Sequence, residues 1–178
     1  MSKVVKTLAE NPMKELFLEK VTVNICVGND KLGMVKAEKL LKMVTDGRTP
    51  AKNCARRRLA TWQIRPGLPI GYKVTLRGQE GFDFLKWILT SKGSKFKEKS
   101  IDFNGNFSIG VHEYLDLDGL KYDADIGIMG FELMSTFARK GFRVKNRMLL
   151  GKKVPKRHRV TKDEVIKYMT EKFNVEVI

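Results

Sequence analysis

Between Leu18 and Val27 apolar and polar positions alternate, with Val21, Val23, Ile25 and Val27 on one side and Lys20, Thr22, Asn24 and Cys26 on the other. Successive side chains of an extended chain point to opposite faces, so this period of two predicts a strand buried on one face only. The period then changes. Gly28 to Gly33 forms a turn, after which Ala37, Leu40, Leu41 and Val44 recur at helical spacing until Asp46-Gly47 and Pro50 end the helix. Leu59–Ile64 and Ile70–Leu76 are predicted extended, separated by a turn at Arg65-Pro66-Gly67. In the second of these, Ile70, Tyr72, Val74 and Leu76 face one way and Lys73, Thr75 and Arg77 the other.

Beyond Gly78, Phe82, Leu85, Ile88 and Leu89 mark a second amphipathic helix ending near Gly93. Ile101–Ile109 contains Asn104-Gly105, a pair suited to a hairpin turn. Asp116–Asp125 is a loop rich in Gly and Asp, and Ile128–Phe137 and Phe142–Met148 are predicted as two further strands. The last helix starts at Thr161, where Glu164 completes a capping box, and Val165, Met169 and Phe173 form its buried stripe. Strands with polar outer faces mixed with amphipathic helices predict an α+β fold: a single antiparallel sheet with helices packed on one face, the other face and the loops remaining open for binding. No repeat or linker divides the chain, so residues 1–178 are expected to form one domain, with 1–17 an N-terminal extension of unknown role.

Composition sharpens the picture through charge. The 178 residues carry 35 Lys and Arg against 20 Asp and Glu, a formal net charge of +15. Two stretches, Gly47–Gln79 and Arg139–Arg159, contain no acid at all. They hold 18 of the 35 basic residues, so the rest of the chain has 17 basic and 20 acidic groups and is close to neutral. Segregated positive charge of this kind points to a polyanion, and RNA before DNA or a membrane surface. Cys26 and Cys54 stand alone, without the paired spacing of a zinc site, and fit a reducing compartment. No run of 18 apolar residues and no apolar signal core at Met1–Glu10 is present, which predicts a soluble intracellular protein without membrane contact.

Catalytic chemistry finds little support. Gly28–Gly33 lacks the Lys-Ser/Thr ending of a phosphate loop, no Ser sits in a nucleophile elbow, and the Asp116–Asp125 carboxylates miss the calcium-loop register. His112-Glu113 has no second ligand at helical spacing, and His158, inside Lys156-Arg157-His158-Arg159, is better placed to touch phosphate than to catalyse. No enzyme activity, cofactor or metal is expected.

The cationic tracts are the candidate sites. Arg56, Arg57 and Arg58 fork well onto phosphate oxygens, with Lys52 and Arg65 beside them and Thr61 and Gln63 as hydrogen-bonding groups. Trp62 is either part of the core or a platform for a base. In the second tract, a strand over Phe142–Met148 would present Arg143, Lys145 and Arg147 on one face, followed by Lys152, Lys153, Lys156, Arg157 and Arg159. If the tracts neutralise about eight phosphates, affinity should fall with salt at a log–log slope of roughly −6 to −7.

Several ordered motifs are familiar. Val23-Asn24-Ile25-Cys26-Val27-Gly28, Ile64-Arg65-Pro66-Gly67-Leu68-Pro69-Ile70-Gly71, Lys73-Val74-Thr75-Leu76-Arg77-Gly78, Gly105-Asn106-Phe107-Ser108-Ile109-Gly110 and Lys121-Tyr122-Asp123 resemble those of the fifth large-subunit ribosomal protein family, which binds 5S ribosomal RNA. The tail Pro155-Lys156-Arg157-His158-Arg159-Val160-Thr161 resembles the archaeal branch, and the resemblance runs from about Leu18 to Ile178. It implies a cytoplasmic protein in the central protuberance of the large subunit. Its partners would be 5S rRNA, large-subunit rRNA, P-site tRNA and neighbouring ribosomal proteins. By the same resemblance Asn24 and Thr75 become 5S contacts, joined by Thr22, Lys52, Lys73 and Arg77. Ala55–Arg65 becomes the loop that touches the tRNA elbow, although Thr61-Trp62-Gln63 departs from the family's commoner small–Phe–Gly or small–Phe–Lys tip.

Overall fold

The computed structural model describes residues 11–177, so most of the expected N-terminal extension lies outside the described residues. The alternating segment forms β1 (Leu16–Cys26), which begins two residues before the predicted strand. Asp30 then caps α1 (Lys31–Val44), its carboxylate accepting the Leu32 N–H at 3.0 Å. A short strand β2 (Ala51–Cys54) precedes the arginine loop, and β3 (Pro69–Leu76) follows it. After α2 (Gly78–Ser91) come β4 (Lys95–Phe96), β5 (Asn106–Val111) and β6 (Phe131–Arg139). A helical turn α3 (Arg143–Asn146), α4 (Lys162–Phe173) and β7 (Glu176–Val177) complete the chain.

Five strands form one sheet in the order β2-β3-β1-β6-β5, and every pairing in it is antiparallel. The fold is α+β, as the patterning predicts. Unforeseen is a second, two-stranded parallel pairing of β4 with β7, which ties the C-terminus to the end of α2. Val21, Val23, Ile25, Tyr72, Val74, Leu76 and Leu133 are buried against Ala37, Leu40, Leu41, Leu85, Ile88, Val165 and Met169 in one continuous core. Each buried Leu or Ile contributes about 1.5–3 kcal/mol, so the helices are fastened to this face by many such terms. The last helix joins the second through Phe82 and Phe173, whose ring centroids lie 4.5 Å apart.

Two predicted strands are not strands. Leu59 and Ile64 bond only to each other, N–H to C=O in both directions at 3.0 Å, around a 3-10 turn at Ala60–Trp62. Gln63, with φ +54°, turns the chain too sharply for extension. Phe142–Met148 is not a strand but holds the helical turn Arg143–Asn146, closed by the Arg147 N–H on the Arg143 carbonyl at 2.9 Å. The reason is topological. Both edges of β6 are occupied, by β1 and β5, and Gly141 at φ +96° redirects the chain immediately after the strand. A strand there could not have paired with β6, the segment it directly follows, because both sides of β6 already carry backbone partners. The Asn104-Gly105 turn is as predicted, closed by the Asp102 N–H on the Asn106 carbonyl at 2.8 Å.

Candidate nucleic-acid interface

The sheet's helix-free face is built by register. Paired residues share a face, so the pairings generate transverse rows of side chains. One row runs Ala51–Lys73–Asn24–Glu132–Gly110, and the next Thr75–Thr22–Met134–Ser108. A third runs Lys20–Thr136–Asn106. Lys73 and Thr75 are exposed, and Thr22 and Asn24 are half-buried between their neighbours. Asn53 donates its amide to the Asn24 side-chain oxygen at 2.8 Å, orienting it. These rows therefore offer hydroxyls, amides and two lysines, with Glu132 as their single carboxylate. Arg77 follows on, exposed, at the N-cap of α2.

Lys52 lies elsewhere. It pairs with Tyr72, which faces the helices, so Lys52 stands on the opposite face of the edge strand from Asn24 and Lys73. Its charge helps hold the Glu38 carboxyl below its ordinary value, after the larger effects of hydrogen bonds from Lys42 and Tyr72. Asn53, Glu132, Met134 and Ser108 escaped the sequence reading. Four-residue β2 is too short to show a period, and only the strand register brings β5 and β6 beside β1.

The loop between β2 and β3 holds its own shape. The Ala55 N–H donates to the Leu68 carbonyl at 2.8 Å, the Gly67 N–H to Ala55 at 2.9 Å, and Ile64 is buried beneath the tip. Arg56, Arg57, Arg58, Thr61, Gln63 and Arg65 are all exposed. Trp62 is 66% exposed, which excludes the core and leaves a flat aromatic surface at the tip. Arg58, Gln63 and Arg65 line a cleft of about 470 Å3 on this projection.

The second tract does not present Arg143, Lys145 and Arg147 along a strand face. Helical spacing puts Arg143 and Arg147 four residues apart on one side, and the Arg147 Nε holds the Leu150 carbonyl at 2.9 Å. Lys152, Lys153, Lys156, Arg157 and Arg159 are exposed. His158 is turned inward instead of offered to phosphate. Its Nε2 lies 2.8 Å from the Lys140 carbonyl, and its ring meets Phe142 edge-on at 5.8 Å. The tract folds back towards the sheet, where Lys145, Lys153 and Arg159 share a cleft of about 580 Å3 with Lys20, Asn106 and Thr136. Segments far apart in sequence thus join into one cationic surface.

Carboxylates gather on the other side of the molecule. Asp46, Glu80, Asp83 and Asp118 line a cleft of about 780 Å3 at the ends of α1 and α2, beside Trp87 and Phe84. Lys39 of α1 pairs with Asp125 of the Asp-rich loop at 2.7 Å and holds its carboxyl below the usual range. Among the described residues, no three His, Cys, Asp or Glu side chains gather in a way that could hold a metal. Among the same residues, no helix is long and apolar enough to cross a membrane.

Two family models match, ribosomal protein L5 over residues 11–65 and the C-terminal region of the ribosomal L5 family over residues 69–168. The chain belongs to the ribosomal protein L5 family. It is 43% identical over 170 residues to the large ribosomal subunit protein uL5 of Nanoarchaeum equitans, covering 95% of this chain and 99% of that one. The protein of the same name from Sulfurisphaera tokodaii is 41% identical, over 97% of this chain and 98% of its own length. That from Methanococcus maripaludis strain C5 is 41% identical over 95% and 94%. The chain is of the archaeal L5 type, a structural constituent of the large ribosomal subunit rather than an enzyme. Its surroundings are ribosomal RNA and other ribosomal proteins. The two matched regions do not fold apart: β1 and β2 of the first and β3, β5 and β6 of the second interleave in one sheet.

Proposed function

We propose that the helix-free sheet face binds 5S ribosomal RNA through Thr22, Asn24, Lys73, Thr75 and Arg77, with Lys52 adding charge from the edge strand. The arginine loop, with Trp62 at its tip, reaches the elbow of the P-site tRNA. Arg143, Lys145, Arg147, Lys152, Lys153, Lys156, Arg157 and Arg159 hold a helix of large-subunit rRNA. The protein then sits in the central protuberance beside its neighbouring ribosomal proteins. The observation carrying this reading is the Lys73–Asn24 row beside Thr75–Thr22, hydrogen-bonding groups on a face that no helix covers. Such a face suits backbone and sugar contacts that recognise RNA by shape, while the arginines supply charge.

A salt titration of binding to purified 5S rRNA tests it, with tRNA and an unrelated hairpin as competitors. Tight binding that neither competitor displaces at moderate salt is expected. Equal displacement by all three RNAs would leave a general RNA-binding module in place of a 5S carrier.

A further inference from the structure

We infer that the cleft where the open sheet face meets the second cationic tract takes a single unstacked ribonucleotide of the bound RNA. The inference rests on the reading of that tract as an RNA contact, and adds what is bound there and how. The cleft encloses about 580 Å3. That is ample for one nucleotide, and a paired helix with its stacked bases would not enter it. Its floor is the Lys20–Thr136–Asn106 row of the sheet. Phe142, Lys145, Asn146, Lys153 and Arg159 wall it.

The side chains divide by chemistry. Lys20 on the floor and Lys145, Lys153 and Arg159 on the walls bring four cations to the cleft, enough to meet the phosphates on either side of one nucleoside. Among the described residues, Glu19 is the only carboxylate in the lining, and it stands at the irregularity of β1 between Leu18 and Lys20. Four cations against one acid favour a polyanion over a protein segment, which would need an acidic rim of its own. Asn106 and Asn146 are exposed and converge on the cleft, and each amide offers both donors and an acceptor. Paired donors and acceptors are what the edge of an unpaired base requires, whereas phosphate alone would be served by cations. Phe142 supplies an apolar wall, held in place by His158, which is itself anchored to the Lys140 carbonyl.

The test separates base recognition from charge. The full chain is titrated with fluorescent tetraribonucleotides of A, C, G or U across a salt series, and with inorganic phosphate as competitor. Asn106→Ala with Asn146→Ala removes no charge. It should weaken the best-bound tetranucleotide about tenfold, the loss of one good base contact, and leave the salt slope unchanged. Lys145→Ala with Lys153→Ala should instead flatten the log–log slope by about 1–2. If the asparagine variant binds every tetranucleotide like the parent, or millimolar phosphate displaces all four equally, the nucleotide cleft is wrong. The RNA reading of the tract then survives only if the lysine variant still flattens the slope. No effect from either variant overturns both.

Discussion

Arg139, 7% exposed at the end of β6, places its guanidinium 2.5 Å from Glu164, whose other carboxylate oxygen accepts the Thr161 N–H at 3.2 Å. One carboxylate therefore neutralises a buried cation and closes the capping box of α4. Removing it takes the carboxylate partner from a largely buried cation and frees a helix terminus. Glu164→Ala should cost about 2–4 kcal/mol, measured by urea unfolding, because both effects act together. Asp163→Ala, one residue earlier and outside this pair, should cost well under half as much. Equal losses would mean that helix charge, and not the Arg139 pair, is what Glu164 serves.

Gly71 illustrates a different constraint. It lies in β3 between Cys26 and Asn53, and a Cβ there would run into the backbone carbonyl of Ile25. Backbone cannot step aside as a flexible side chain can. Gly71→Ala should destabilise the protein by about 3 kcal/mol in the same unfolding assay. A variant as stable as the parent would show that the β1–β3 spacing yields more readily than this contact implies.

The arginine loop is expected to act separately from the sheet. Arg56, Arg57 and Arg58 are exposed on a loop closed by its own hydrogen bonds, so replacing all three by Ala should leave the fold intact. Crosslinking or footprinting on assembled ribosomes should then show a weaker tRNA contact, with 5S binding reduced less. Trp62→Ala should change stability by no more than about 0.5 kcal/mol, because an exposed side chain contributes little to the core. Equal losses of tRNA and 5S binding in the triple variant would contradict the division of labour.

Acid should loosen α1 from β3 through Glu38. Lys42 donates to this carboxylate at 2.7 Å and Tyr72 at 3.0 Å, and the two bonds hold its pKa below the ordinary 4.5. A lowered carboxyl pKa stabilises the folded state above the unfolded value, and that stabilisation is lost as pH falls through the folded one. Tyr72→Phe removes one of the two bonds. The gap in melting temperature between parent and variant should therefore narrow as pH falls from ~6 to ~3. A gap independent of pH would show that the Tyr72 hydroxyl does not sense the charge on Glu38.

Much of this protein was legible without coordinates. The alternation in β1 and β3, the stripes of α1, α2 and α4, and the Thr161–Glu164 cap are local, because the period of a strand or helix is written in adjacent residues. The acid-free tracts were equally plain, since charge segregation needs no geometry. What tertiary structure decided is where neighbours were required. Phe142–Met148 alternates like a strand, yet both edges of β6 are taken, Gly141 turns the chain at its end, and a helical turn forms there instead. Lys52 sits four residues before the arginine triplet, yet its pairing with Tyr72 turns it to the helix side. Trp62 could have been core, and only the closure of Leu59 on Ile64 leaves it in solvent. Asn106, Thr136 and Lys20 are far apart along the chain and became one row through strand register. Periodicity is a property of consecutive residues, whereas a binding surface depends on which segments pair, and pairing is settled by the competition of every strand for an edge.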